Sequence, residues 1–286
     1  MTTTATMNAV RSGLSRGWVE YRQSFTSGQD LFGYFGTPLI FLTIAISLGG
    51  AEVENTGVSV GAMMMAGFMG FLLVMAGVVT VAQVLAVERE DGTLLRAKAL
   101  PRGMLGYFVG KSVYISLITP TSLLFLLLPA FALIDGFAVP GPERLFTFAW
   151  VTILGLLAIA PIGAIIGSLV TNPRLATGLS LGPLVGLMMI SGTFFPVHWA
   201  PQWLQWIGQA FPMYWINLGM RSAFLPDAAL SSELRASWQH LETAGVLGAW
   251  AVLGLIVAPF VLRRMARRES GARVQAAREK AMQRAY

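Results

Sequence analysis

Six stretches of the chain are apolar for about the length of a bilayer-crossing helix: roughly 31–50, 60–86, 107–134, 145–170, 175–196 and 244–262. Such a helix needs about 20 mostly apolar residues. None of the six holds an internal charge except Lys111, near the start of the third. A polar stretch carrying Arg11, Arg16, Glu20, Arg22 and Asp30 precedes the first. That order is wrong for a cleaved signal peptide, whose apolar core follows within a few residues of the start. Within residues 1–30, Val10, Leu14, Trp18, Tyr21 and Phe25 share a narrow arc at about 100° per residue, with Arg16, Glu20 and Gln23 opposite and Val19 out of place. The pattern predicts an amphipathic helix lying in the cytoplasmic interface. A soluble helix packing on a partner would show the same stripe.

Composition agrees with the pattern. Of 286 residues, 55% are hydrophobic and 12% charged, whereas a soluble domain carries about 25% charged residues. The chain therefore reads as an all-α membrane protein with six transmembrane helices. Cysteine is absent, which excludes disulfides and thiol chemistry, and the only histidines are His198 and His240. No metal site is expected.

The net charge of +6 is placed unevenly. If the N-terminus is cytoplasmic, 17 of the 20 Lys and Arg fall inside, leaving Arg144, Arg221 and Arg235 outside. The acidic residues divide evenly. This is the positive-inside asymmetry, which counts Lys and Arg. It predicts both termini in the cytoplasm, with residues 31–262 forming the transmembrane domain and 263–286 a basic tail near anionic lipid. Nucleic acid is not an expected partner. Prolines inside the spans (Pro38, Pro120, Pro161, Pro183, Pro259) can kink helices and carry no assigned role.

Several chemistries fail on inspection. A phosphate-cradling loop reads G-x-x-x-x-G-K-[ST]. Gly110-Lys111-Ser112 lacks its first glycine, since position 105 is Leu. Lys111 then reads as a snorkelling side chain at the start of a span. An intramembrane serine protease would need a histidine within a span, but His198 and His240 fall in the last outer loop. An ion-coupled carrier needs an ionisable group at membrane depth, and every Asp and Glu here falls in a loop or terminus.

The inner loop EREDGTLLRAKALP, residues 88–101, reads as a short helix with a proline stop. Here the chain resembles the permeases of type-2 ABC exporters, of the daunorubicin-resistance kind. Their pattern is approximately E-R-E-x-G-T-L-x-x-L with a later proline. Glu88, Arg89, Glu90, Gly92, Thr93, Leu94 and Pro101 fall in register, and Ala97 departs from it. A second resemblance follows span five in SGTFFPVHWAPQWLQWIGQAFPMYW. Ser191, Gly192, Phe194, Phe195, Pro196, Pro201, Trp203, Leu204 and Pro212 match. This aromatic and proline-rich segment predicts a helical loop at, or dipping into, the outer interface between spans five and six.

The resemblance implies two six-span permeases forming a pathway, as a homodimer or heterodimer, driven by separate ATP-binding subunits. The inner loop would be the coupling helix, with Glu88, Arg89, Glu90, Gly92, Thr93, Leu94, Leu95, Arg96, Pro101 and Arg102 toward the ATPase. This chain would then be no enzyme and hold no cofactor; ATP and magnesium belong to the partner. It also implies the bacterial plasma membrane. A pathway without charged side chains suits a hydrophobic or amphipathic cargo: a drug, antibiotic or lipid-like metabolite. Polysaccharide or lipid export, and a stand-alone carrier or immunity protein, are the alternatives.

Overall fold

The computed structural model describes residues 2–53, 56–100, 102–137, 139–170 and 172–268. Pro101 and residues 269–286, which hold most of the expected basic tail, lie outside the described residues. Among the described residues the architecture is helical, with a lone antiparallel bridge between Glu52 and Ser59.

The first helix, α1 (Thr2–Ser24), is followed by α2 (Gly28–Leu31), a π-helical turn at Phe32–Gly36, and α3 (Thr37–Ser47). The next apolar stretch forms α4 (Val60–Val74), a second π segment at Met75–Thr80, and α5 (Val81–Glu90). These three read as one helix, Val60–Glu90. The short α6 (Thr93–Ala99) turns the chain into α7 (Gly103–Leu133), and α8 (Pro142–Leu169) and α9 (Pro173–Ile190) follow. Two shorter helices, α10 (Gln202–Ala210) and α11 (Pro212–Phe224), precede the last, α12 (His240–Arg268). Among the described residues, five helices are long and apolar enough to cross a membrane: Val60–Glu90, Gly103–Leu133, Pro142–Leu169, Pro173–Ile190 and His240–Met265. The predicted first span corresponds to the shorter helix Phe32–Ser47. It is shorter than its apolar stretch because the chain turns at Leu48–Gly50 toward the Glu52–Ser59 bridge.

Burial follows from which helices lack a polar side. The sequence of α4, VGAMMMAGFMGFLLV, is apolar all round and sits at the centre, with Met65, Ala66, Phe68, Met69 and Leu73 at most 1% exposed. Every residue of α11 is buried as well. It inserts between α4 and α8, with Ile216 beside Leu73 and Gly155. Trp250, well inside α12, donates its indole N–H to the Ala210 carbonyl at the α10–α11 joint (3.0 Å). Of the two helices of the outer loop, α11 is therefore packed inside the bundle, while α10 keeps Trp203, Trp206 and Ile207 exposed.

The expected amphipathic helix is present, with a different inner face. Leu14, Trp18 and Phe25 are exposed, as a lipid-facing stripe requires. The opposite side is only partly exposed: Gln23 is exposed, Arg16 and Glu20 are half-buried, and the adjoining Gly13 and Gly17 are buried, because the helix packs on α7. It runs parallel to α7, with Gly13 and Gly17 against Gly106 and Gly110. A Cβ on Gly17 would stand 2.5 Å from the Gly110 carbonyl oxygen, and one on Gly13 equally close to that of Gly106. Small residues at this spacing let two helix backbones approach. Val10 and Tyr21 are half-buried, and the Tyr21 hydroxyl meets Thr121 Oγ1 of α7 at 3.0 Å.

Candidate functional site

The turn from α5 into α7 carries the residues singled out as a coupling helix. Asp91 ends α5, and Gly92 takes φ +78°, a left-handed conformation that glycine adopts without a Cβ clash. The Asp91 carboxylate accepts the Thr93 N–H (2.7 Å), occupying one of the unfilled donors at the start of α6. Arg96 donates to Thr93 Oγ1 (2.8 Å) across one turn.

The faces of α6 differ sharply. Leu94 (2% exposed) and Ala97 point inward and form a small apolar cluster with Leu85, Tyr107 and Met265. Asp91, Arg96, Lys98, Leu100 and Arg102 are exposed, while Glu90, Thr93 and Leu95 are half-exposed. Leu94 and Gly92 thus anchor the turn rather than present a docking face. Asp91, Lys98 and Leu100 join the accessible surface. Helical spacing holds the signal for this sorting, since Leu94 and Ala97 are three apart on one side.

Glu88 and Arg89 also face inward, where they tie the turn to other helices. Glu88 Oε1 stands 2.7 Å from Lys111 Nζ, and Lys111 stands 2.6 Å from Glu20 Oε2 of α1. Arg16 closes the group, 2.8 Å from Glu20 and 3.5 Å from Glu88. Lys111 is therefore a paired cation between α1, α5 and α7 rather than a snorkelling one. Arg16 and Glu20 lie on the docked face of α1 rather than in water. Burial works against a charged Glu20, but hydrogen bonds from Lys111 and Arg16 outweigh it and hold its pKa below the ordinary carboxylate value. Arg89 is buried with its guanidinium at the end of α8, donating to the carbonyls of Gly167 (3.2 Å), Ser168 (2.7 Å) and Val170 (3.1 Å). These belong to the last turn of a helix, where carbonyls lack intrahelical partners and a cation is favoured.

The second matched segment is held from α11. The Asn217 amide donates to the Ser191 carbonyl (3.1 Å) and to Thr193 Oγ1 (2.8 Å). Arg221 donates to the Gly192 carbonyl (2.7 Å) and pairs with Glu233, both side chains at most 3% exposed. A Cβ on Gly67 of α4 would collide with the Thr193 carbonyl oxygen, and one on Gly70 with the Asn217 side chain. Pro201 and Pro212 mark the starts of α10 and α11. Phe195 stacks on Trp199, Phe194 lies parallel to Phe41, and Trp203 is exposed. Leu204 is half-buried on α10, and Pro196 precedes the Val197–Trp199 turn. Nothing in the linear pattern marks Asn217, Arg221 and Glu233, and Arg221 counted there only as one of the three basic residues on the outer side. Its charge is buried because Glu233, twelve residues on, reaches back to it.

Among the described residues no group of acidic side chains and histidines is arranged to hold a metal ion. What the structure provides is a helix bundle with a short polar-faced helix that follows the end of α5, itself tied to α1, α7 and α8 through Glu88 and Arg89. A comparison with curated proteins gives no match. A family model described as ABC-2 family transporter protein matches residues 46–261, which runs from the end of α3 through most of α12. The chain belongs to this ABC-2 transporter family, as a membrane-spanning permease subunit of an ABC transporter, the kind of subunit that works with an ATP-binding partner.

Proposed function

We propose that the chain is the permease of an ATP-driven exporter in the bacterial plasma membrane. In this reading it has six spans, with Phe32–Ser47 as the first, and both termini in the cytoplasm. A separate subunit binds ATP and magnesium, docks on α6, and moves it. One observation carries the reading: α6, with its exposed face, follows directly on the end of α5, which reaches α1 and α7 through Glu88 and α8 through Arg89. A push on α6 is therefore transmitted to three helices at once.

A second permease copy completes the pathway. The exposed apolar residues of α9 (Leu175, Leu179, Met189) and of α10 (Trp203, Trp206, Ile207) supply the surface for it. The cargo is a hydrophobic or amphipathic small molecule, since the six apolar stretches carry no internal charge except Lys111. Multidrug efflux and antibiotic resistance are the roles such a cargo suggests.

The reading predicts that the tagged chain captures its ATP-binding subunit stoichiometrically. Arg96→Glu, which reverses a charge on the exposed face, should reduce capture at least tenfold while the chain stays folded. Equal capture by the wild type and Arg96→Glu would remove α6 as the docking site.

A further inference from the structure

A cavity of about 800 Å³ lies between α1, the Phe32–Gly36 π turn, the Val60–Glu90 helix, α7 and α9. Small-molecule sites run to roughly 300–1,000 Å³. Its lining changes character along its length. Near the α6 end stand Glu20, Asp30, Glu88, Asp91 and Lys111. Deeper along the same helices stand Phe71, Met75 and Leu123.

The charges have a definite sense. Lys111, the one cation among these lining residues, is engaged by Glu20 at 2.6 Å and Glu88 at 2.7 Å. Arg16, which lies behind the same two carboxylates, is paired to both. An anionic head group entering here meets carboxylates, with the nearest ammonium already satisfied twice. Asp30 also lines the cavity and enters no ion pair among the described residues. Beside it, the rings of Phe32, Tyr34 and Tyr114 face the same space. Aromatic faces attract cations as well.

The deeper wall holds two hydroxyls with nothing to bond. Thr119 (4% exposed) and Ser122 (8% exposed) both line the cavity, and neither oxygen has a hydrogen-bond partner. They are three residues apart on α7, so they point the same way. Buried hydroxyls without partners are uncommon, because each forfeits its hydrogen bonds to water.

We propose that this cavity binds a cationic amphiphile. The cationic head group lies against Asp30 and the carboxylates near α6, an acceptor atom reaches Thr119 and Ser122, and the apolar body packs on Phe71, Met75 and Leu123. This deepens the permease reading and rests on it for the claim that the ligand is cargo. The binding itself does not depend on ATP.

The test uses tetraphenylphosphonium and tetraphenylborate, ions of nearly equal size and opposite charge. Saturable binding is measured by equilibrium dialysis on the purified full chain in phosphatidylcholine nanodiscs, with lipid-only discs subtracting partition. The cation should bind at least tenfold more tightly than the anion. Asp30→Asn should weaken cation binding several-fold, Asp30→Lys should erase the preference, and Ser122→Phe, which fills the cavity, should abolish saturable binding. Each variant is first shown to be monodisperse. Equal affinity for the two ions, or cation binding indifferent to both Asp30→Lys and Ser122→Phe, overturns the site. ATP-driven transport without saturable cation binding would reject the site and leave the permease standing. Cation binding without transport would do the reverse.

Discussion

Glu20 and Lys111 show how much one residue's neighbours decide. Read along the chain, Glu20 is a polar residue on a surface helix, and Lys111 is the start of a span. In space they form one ion pair at 2.6 Å that holds α1 on α7. Because the folded pKa of Glu20 is depressed, its stabilisation is fully present above the unfolded value of about 4.3. It is lost as pH falls through the folded pKa. Thermal unfolding of the wild type and Glu20→Gln should therefore differ most at neutral pH, and the difference should shrink as pH falls below the unfolded value of about 4.3 toward the folded pKa. A gap in Tm that stays constant from pH 7 to pH 3 would show that the Glu20 charge does not stabilise the docked helix. Arg89 teaches the same point. Its guanidinium, which a linear motif assigns to a partner, bonds to the last carbonyls of α8.

At the level of the element, α6 owes its position to one face and its accessibility to the other. Seven residues are too few to be helical alone, so the cluster of Leu94, Ala97, Leu85, Tyr107 and Met265 has to hold it. Leu94→Ala should cost about 2–5 kcal/mol of stability, the range for a buried leucine truncated in a packed site. Chemical denaturation of the purified chain reads this directly, and a loss under about 0.5 kcal/mol would mean the cluster does not anchor α6. Leu94 is consequently a poor probe of docking, because its loss disturbs the helix itself; Arg96 is a better one. The helix α1 shows the same division. Its apolar stripe was legible from periodicity, but its glycine face was not, since nothing in the local pattern says that Gly13 and Gly17 meet Gly106 and Gly110.

For the whole molecule the decisive quantity is orientation. The native chain has no cysteine, so single cysteines report topology without background. Arg235 and Lys98 are both exposed, on the segment before α12 and on α6 respectively. The proposed topology predicts that Arg235→Cys reacts with a membrane-impermeant maleimide on intact cells. Lys98→Cys should react only after permeabilisation. Labelling of Lys98→Cys in intact cells would reverse the assignment and place α6 where no cytoplasmic ATPase could reach it.

The sequence by itself determined the class of the molecule. Long apolar stretches can only be membrane helices when nothing else satisfies their backbone groups. The apolar stretches, the asymmetry of Lys and Arg, and the two ordered motifs are properties of the linear chain, so they were readable from it. Among the described residues, long helices overlap five of the six apolar stretches, α6 lies in the inner loop, and α10 and α11 lie in the outer segment. Only the tertiary structure decided which residues face one another. Arg221 meets Glu233 and Gly192, Lys111 meets Glu20 and Glu88, and Thr119 and Ser122 open onto one cavity. The reason is physical. Within a membrane bundle apolar periodicity no longer separates inside from outside, because lipid and protein interior are alike in polarity. Glycine contacts and buried ion pairs set the packing instead, and both join residues far apart in the chain.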